Sequence, residues 1–250
     1  MRLVTYNIRR CLGTDGQLSP KRIAEVIAEC DADIAALQEV DVGRLRSGSM
    51  DQAHEIGTHL GASAIHFHPA LQIEDERYGD AILTRGSSRL KKVGLLPRGG
   101  IFRPAEPRGA LWIEVELGGT AIQIVNTHLG LRRRERRAQA EALFSDEWLG
   151  HPGCSSPCIL AGDLNSLPGG VVYRRCSSFL RDVQAGTRAR PTPTFPSWRP
   201  LLRIDHIFVS RDIAICEARV WRSRLARIAS DHLPLVAELD VRPARDRLAQ

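Results

Sequence analysis

The stretch Ala110-Leu111-Trp112-Ile113-Glu114-Val115-Glu116-Leu117, then Gly118-Gly119-Thr120, then Ala121-Ile122-Gln123-Ile124-Val125-Asn126-Thr127-His128-Leu129 decides the fold class. Two apolar, β-branched runs follow one another across a pair of glycines, with no room for a helix between them. Working outward, further strand candidates stand at 62–68, 79–84 and 89–95. Later ones are Cys158–Leu164, Ile204–Ser210, Ile213–Val220 and Leu233–Val241, and earlier ones Leu3–Ile8 and Asp33–Val40. Helices are fewer. Ser19-Pro20 opens one, with serine as cap, proline at the first helical position, and Ile23, Val26, Ile27 and Cys30 on one face. Asp51–Leu60 is a shorter helix and Leu131–Leu149 a longer one. Strands that adjoin without helices argue against a simple βαβ repeat and for an α/β sandwich of two packed sheets flanked by helices. No repeat or low-complexity linker divides residues 1–250, which read as one domain.

Composition narrows the function. Hydrophobic residues are 43% and charged residues 26% of the 250, which is globular and not disordered. The net charge of +6 favours an anionic partner. No stretch approaches the ~18 apolar residues of a membrane span. Met1-Arg2-Leu3-Val4-Thr5-Tyr6-Asn7 enters strand-like sequence without the apolar region of a secretory signal, so a cytoplasmic location is expected. The six cysteines are scattered, and Cys154 and Cys158 have no second pair at zinc spacing, so reduced, packed thiols are expected.

Several motifs fail on geometry. His54-Glu55-Ile56-Gly57-Thr58-His59 spaces its histidines five apart. On a helix that is about 140° past one full turn, so the two cannot face one metal. Phosphate-loop, dinucleotide-binding and nucleophile-elbow patterns are absent. What remains is a series of polar residues at strand ends: Asn7, Glu39, His128, Asp163 with Asn165, Asp205-His206, and Asp231-His232, with Glu76 and Tyr78 before the strand Ala81-Ile82-Leu83. Any one of them reads as a cap or a turn former. Together they suit metal-assisted hydrolysis of a phosphate ester. Carboxylate and amide oxygens favour Mg²⁺ or Mn²⁺ over zinc. Imidazoles can donate to a developing phosphorane, and a carboxylate can activate water.

The short motifs Thr5-Tyr6-Asn7, Leu37-Gln38-Glu39-Val40, Tyr78-Gly79-Asp80-Ala81, Asn126-Thr127-His128-Leu129, Gly162-Asp163-Leu164-Asn165, Ile204-Asp205-His206-Ile207-Phe208 and Ser230-Asp231-His232 occur in this order along the chain. In this respect the sequence resembles the endonuclease/exonuclease/phosphatase superfamily. The resemblance implies a four-layer α/β sandwich and a Mg²⁺- or Mn²⁺-dependent phosphoesterase. It implies that Asn7, Glu39 and Asp231 hold the metal. Asp163 would orient or activate water, Asn165 contact the phosphate, His232 stabilise the transition state, and Asp205 keep His232 charged. His128 matches a second histidine of the deoxyribonuclease and sphingomyelinase branches, and Glu76 the glutamate that orients it. Three positions depart from the pattern. Arg9 stands where abasic-site endonucleases carry aspartate, His128 replaces their asparagine, and Asp80 stands where many members have asparagine.

The substrate is expected to be a phospholipid or small-molecule phosphodiester, because His128-Leu129-Gly130-Leu131 followed by Glu135-Arg136 and Gln139 is similar to the sphingomyelinase-like branch. DNA or RNA is the alternative, and a degenerate binding protein a third reading. The partner is thus a phosphate ester, with a phospholipid surface or a nucleic acid presenting it, and no protein partner is inferred. The Arg132–Arg137 cluster suits either presentation. The loops Pro97–Gly109 and Ala185–Pro200 are expected to wall the cleft. Phe102, Phe195 and Trp198 would be their apolar groups, and Tyr78, Arg103, Arg108 and Arg199 would contact substrate.

Overall fold

The computed structural model describes residues 1–98 and 106–241. Its strands are β1 (Arg2–Asn7), β2 (Ile34–Val42), β3 (Ala64–Ile73), β4 (Glu76–Thr84), β5 (Ser88–Leu95), β6 (Gly109–Leu117), β7 (Thr120–His128), β8 (Cys158–Asp163), β9 (Arg181–Asp182), β10 (Asp205–Val209), β11 (Ala214–Val220) and β12 (Leu235–Asp240). Its helices are α1 (Pro20–Glu29), α2 (Gln52–Leu60), α3 (Arg133–Leu143), α4 (Val171–Phe179) and α5 (Arg224–Ala229). The strands form two mixed six-stranded sheets, in the orders β11-β12-β1-β2-β4-β3 and β5-β6-β7-β8-β10-β9.

Local chemistry sets the boundaries. Ser19 caps α1 by accepting from Arg22 N–H, worth about 1 kcal/mol. Asp51 caps α2 in the same way through His54 N–H, and Gly61, at a φ of 62°, closes it. The long second helix expected over 131–149 ends at Leu143, and a series of turns carries the chain on to Trp148 and Leu149. Within β1, Leu3 to Asn7 are all buried, so this strand is covered on both faces.

The layers follow from the two clusters of buried apolar side chains. One joins Ile23, Ile27, Ile56 and Ala226, on the helices outside the first sheet, to Leu3, Leu37 and Ile82 within it. It continues to Ile113, Ile124 and Ile159 of the second sheet. The other lies between the second sheet and α3 and α4, through Trp112, Leu160 and Phe208 against Leu143 and Cys176. The order is helices, sheet, sheet, helices. All six cysteines are free thiols, and only Cys216 is exposed. No helix among the described residues is long and apolar enough to cross a membrane.

Candidate active site

Strand register assembles the site. His128 closes β7 and lies opposite Asp163 in the parallel pair β7–β8, and Asp205 lies opposite Asp163 in the antiparallel pair β8–β10. Three neighbouring strands therefore deliver His128, Asp163 and Asp205 along one rung. In the first sheet Asn7 ends β1 beside Gln38 of β2. A buried bridge ties the sheets together beneath the site. Gln38 Nε2 donates to Asn126 Oδ1 at 2.8 Å, and Asn126 Nδ2 donates to the carbonyls of Leu37 and Ala81, both at 2.9 Å. Such a network orders both sheets only because its donors are matched.

Glu39 was expected at the end of its strand, yet β2 runs on to Val42. The pairing with β4 shifts between Leu37 and Val40, and Glu39 sits in that bulge at a φ of 59°. A non-glycine residue held there is strained by about 1 kcal/mol or more. The bulge brings its carboxylate to Asn7, whose Nδ2 donates to Glu39 Oε1 at 3.0 Å and to Asp163 Oδ2 at 3.1 Å. Two carboxylates thus share one amide, and among the described residues no Lys or Arg forms an ion pair with Glu39. This hard oxygen set suits Mg²⁺ or Mn²⁺. Asp231 also faces the cleft, but Arg9 Nε lies 3.5 Å from its Oδ2.

Asp163, Asp205 and His232 form a second compact group of metal-ligating types. Its hydrogen bonds orient His232 toward Asp163. His232 Nδ1 lies 2.9 Å from Asp205 Oδ2, and Nε2 lies 3.8 Å from Asp163 Oδ2. Burial alone would lower the His232 pKa, but the charge and hydrogen bond of Asp205, aided by Asp163, raise it to about 10. An imidazolium offers both ring nitrogens as donors. Thr194 donates its hydroxyl to Asp205 Oδ2, and the Phe195 ring sits 4.7 Å from the His232 ring. Asp163 is pushed up to about 7, first by burial and then by Asp205.

His128 behaves oppositely. Burial, then Arg108 and His232, hold its pKa well below the usual imidazole range. Arg108 Nη1 donates to His128 Nδ1 at 3.0 Å. The neutral ring therefore carries its proton on Nε2, which faces Asp163 Oδ2 at 3.5 Å; Asn165 Nδ2, 3.1 Å from the same nitrogen, is also a donor and donates to the Leu129 carbonyl at 2.9 Å. Asn165 has a φ of 46°, and its backbone N–H donates to Asp163 Oδ1 at 2.9 Å.

The structure separates the remaining expected site residues. Glu76 does not orient His128: it pairs with Arg44 at 2.8 Å and accepts from Leu45 N–H, so Arg108 holds the ring instead. Tyr78 is buried and does not itself line the cleft; it stands behind Arg108, which does and with which it interacts. Arg199 is exposed and outside that lining, as is Trp198. Arg103 and Phe102 lie outside the described residues. Asp80 is buried near Arg108 and accepts the backbone N–H of His128, and burial raises its pKa to about 8. Its departure from asparagine therefore falls behind His128 and Arg108.

These groups open into a cleft of about 790 Å³. One wall comes from Leu131, Arg133 and Arg136, and another from Leu167, Gly170 and Arg174 at the start of α4. The sequence reading missed α4. Its signal, Val171-Val172-Tyr173, favours strand locally, and the burial of Val172 and Cys176 overrides it.

Comparison with known proteins agrees with this architecture. The uncharacterized protein YbhP of Escherichia coli K12 is 37% identical over 148 residues, 54% of this chain and 53% of that protein. The chain thus matches about half the length of its curated relatives. Among solved structures, a mannosyl-6-phosphatase of Bacteroides thetaiotaomicron superposes with a TM-score of 0.78 at 22% identity, covering 96% of this chain and 99% of that one. The human nocturnin catalytic domain with bound sulfate gives 0.72 at 23%, covering 96% and 94%. These likenesses show the fold. Residues 4–232 match the Endonuclease/Exonuclease/phosphatase family, and the chain belongs to that family of phosphoric-ester hydrolases.

Proposed function

We propose that this chain is a divalent-metal-dependent phosphodiesterase whose substrate is a small-molecule or phospholipid diester. The observation that carries the substrate class is the cleft. It holds about 790 Å³, in the range of small-ligand sites, and its walls set the partly exposed Leu131, Leu167 and Leu202 among arginines. Phe195 is the one aromatic residue among the described lining residues, which is a poor platform for successive stacked bases. The free thiols fit a reducing compartment, and we place the enzyme in the cytoplasm on that ground.

Glu39 and Asn7 would hold Mg²⁺ or Mn²⁺, with Asp231 completing the set once Arg9 releases it. The bound cation supplies charge neutralisation at the phosphoryl oxygens. The chain's own residues do the rest. Asp163, with a pKa near neutrality, accepts the proton of the attacking water. His232, kept cationic by Asp205, donates from Nε2 to the phosphoryl oxygen as negative charge develops there. His128, neutral and fixed through Nδ1 by Arg108, presents its Nε2–H to the same region, where Asn165 adds an amide donor.

A panel of bis(4-nitrophenyl) phosphate, phospholipid vesicles, RNA and supercoiled plasmid, assayed with Mg²⁺ across a salt series, tests this reading. Turnover of the small or lipid diesters with a shallow salt dependence is expected. Rapid plasmid nicking with a steep salt slope, and no action on the others, assigns the site to nucleic acid instead.

A further inference from the structure

The catalytic groups account for part of the cleft lining. Beyond them, Arg133 and Arg136 on α3 and Arg174 on α4 line the same space. Among the described residues, most ion-paired arginines meet a carboxylate away from the cleft. Arg175, next to Arg174, turns to Glu141 of α3 at 3.1 Å and stacks on Phe144 and Phe179, which joins the two helices. Among the described residues, none of Arg133, Arg136 and Arg174 forms an ion pair. Arg174 donates to the carbonyl of Gly169, and Arg136 Nη1 to those of Gly130 and Leu131, so backbone oxygens position these two guanidiniums without neutralising them. Burial pulls the Arg136 pKa down, and the opposing charges of Asp163 and Glu135 do not make up for it, the mark of a partly desolvated cation. Its field reaches Asp163, which places it within electrostatic range of the catalytic base. Three like charges lining one cleft from two walls repel each other, and the first turn of a helix is the wrong place for positive charge. An anion in the cleft removes both penalties.

Resting on the reading above, we propose that Arg133, Arg136 and Arg174 form a second phosphate subsite, so that the substrate is a small molecule carrying a further phosphoryl group beside the scissile one. Guanidinium pairs phosphate oxygens through paired N–H donors. A cleft of about 790 Å³ has room for both groups and a linking moiety.

Thymidine 3′,5′-bisphosphate and thymidine 5′-monophosphate differ by one phosphate and serve as probes. Binding is measured calorimetrically with Mg²⁺ on Asp163→Asn, so that turnover does not enter. The bisphosphate is expected to bind about tenfold tighter or more, as charge-assisted hydrogen bonds to a second phosphate imply. Arg133→Gln with Arg174→Gln should bring the two probes to nearly equal affinity, and the Arg→Lys pair should restore part of the preference. These two side chains are exposed, so circular dichroism should show an unchanged fold. Equal affinity in the parent, or a preference that survives the double Gln variant, overturns the subsite. Absence of turnover on every diester by the wild-type chain overturns the phosphodiesterase reading instead, and leaves the binding comparison standing.

Discussion

The two ring nitrogens of His232 face different carboxylates, with Nδ1 2.9 Å from Asp205 Oδ2 and Nε2 3.8 Å from Asp163 Oδ2. Asp205 lies behind the ring and sets its charge, and Asp163 lies before it, where a reacting group would sit. Because Asp205 raises the His232 pKa to about 10, the imidazolium persists through neutral pH. Asp205→Asn should therefore shift the alkaline limb of the pH–rate profile downward by about one unit or more. Stability carries the same sign. The folded pKa lies above the unfolded value of 6.5, so the stabilisation is full below about 6.5 and is lost as pH rises through about 10. The melting-temperature gap between wild type and Asp205→Asn should narrow over that window. An alkaline limb left in place would remove Asp205 from this role.

Arg108 and Glu76 make a second, opposed pair of predictions. Arg108 Nη1 holds His128 Nδ1, whereas Glu76 is engaged with Arg44. Arg108→Met should lower kcat by about tenfold or more, by releasing the ring and its tautomer. Imidazole nitrogen shifts in an NMR spectrum should show Nδ1 freed. Glu76→Gln should change kcat by less than about threefold, since a partly exposed ion pair contributes little. A large loss in Glu76→Gln with a small one in Arg108→Met would reverse the assignment.

How far the sequence revealed the site can be judged from single residues. Asp163, Asp205 and His232 were legible because each interrupts an apolar run next to a strand; register then set Asp205 opposite Asp163, and the loop before β12 brought His232 to both. The bulge at Glu39 was not legible. Its strand continues through Asp41 and Val42, and nothing local marks a positive φ at a glutamate. The error at Glu76 has a similar origin: Arg44 is remote in sequence, and the choice between Arg44 and His128 is made by tertiary packing. The basic wall was half visible, in the Arg132–Arg137 run. Arg174 joined it only once α4 formed against the sequence's own strand preference.

The strained bulge gives a further prediction. Glu39→Gly accepts a φ of 59° without penalty and removes one of two carboxylates sharing the Asn7 amide. The metal-free variant should be no less stable than wild type, and more stable by up to about 1 kcal/mol. The rise in melting temperature that Mg²⁺ gives wild type should disappear from the variant. A Mg²⁺-induced rise of wild-type size in Glu39→Gly would take the metal away from this residue.

The central claim, that Asp163 drives metal-dependent hydrolysis of a phosphodiester, is tested most directly by the rate of 4-nitrophenol release from bis(4-nitrophenyl) phosphate. Wild type and Asp163→Asn are compared with Mg²⁺, after exhaustive chelation, and after Mg²⁺ is restored. The account predicts a wild-type rate that collapses on chelation and returns with Mg²⁺, and a folded Asp163→Asn slower by about 10² or more. A wild-type rate that survives removal of all metal, or an Asp163→Asn rate equal to wild type, would contradict it.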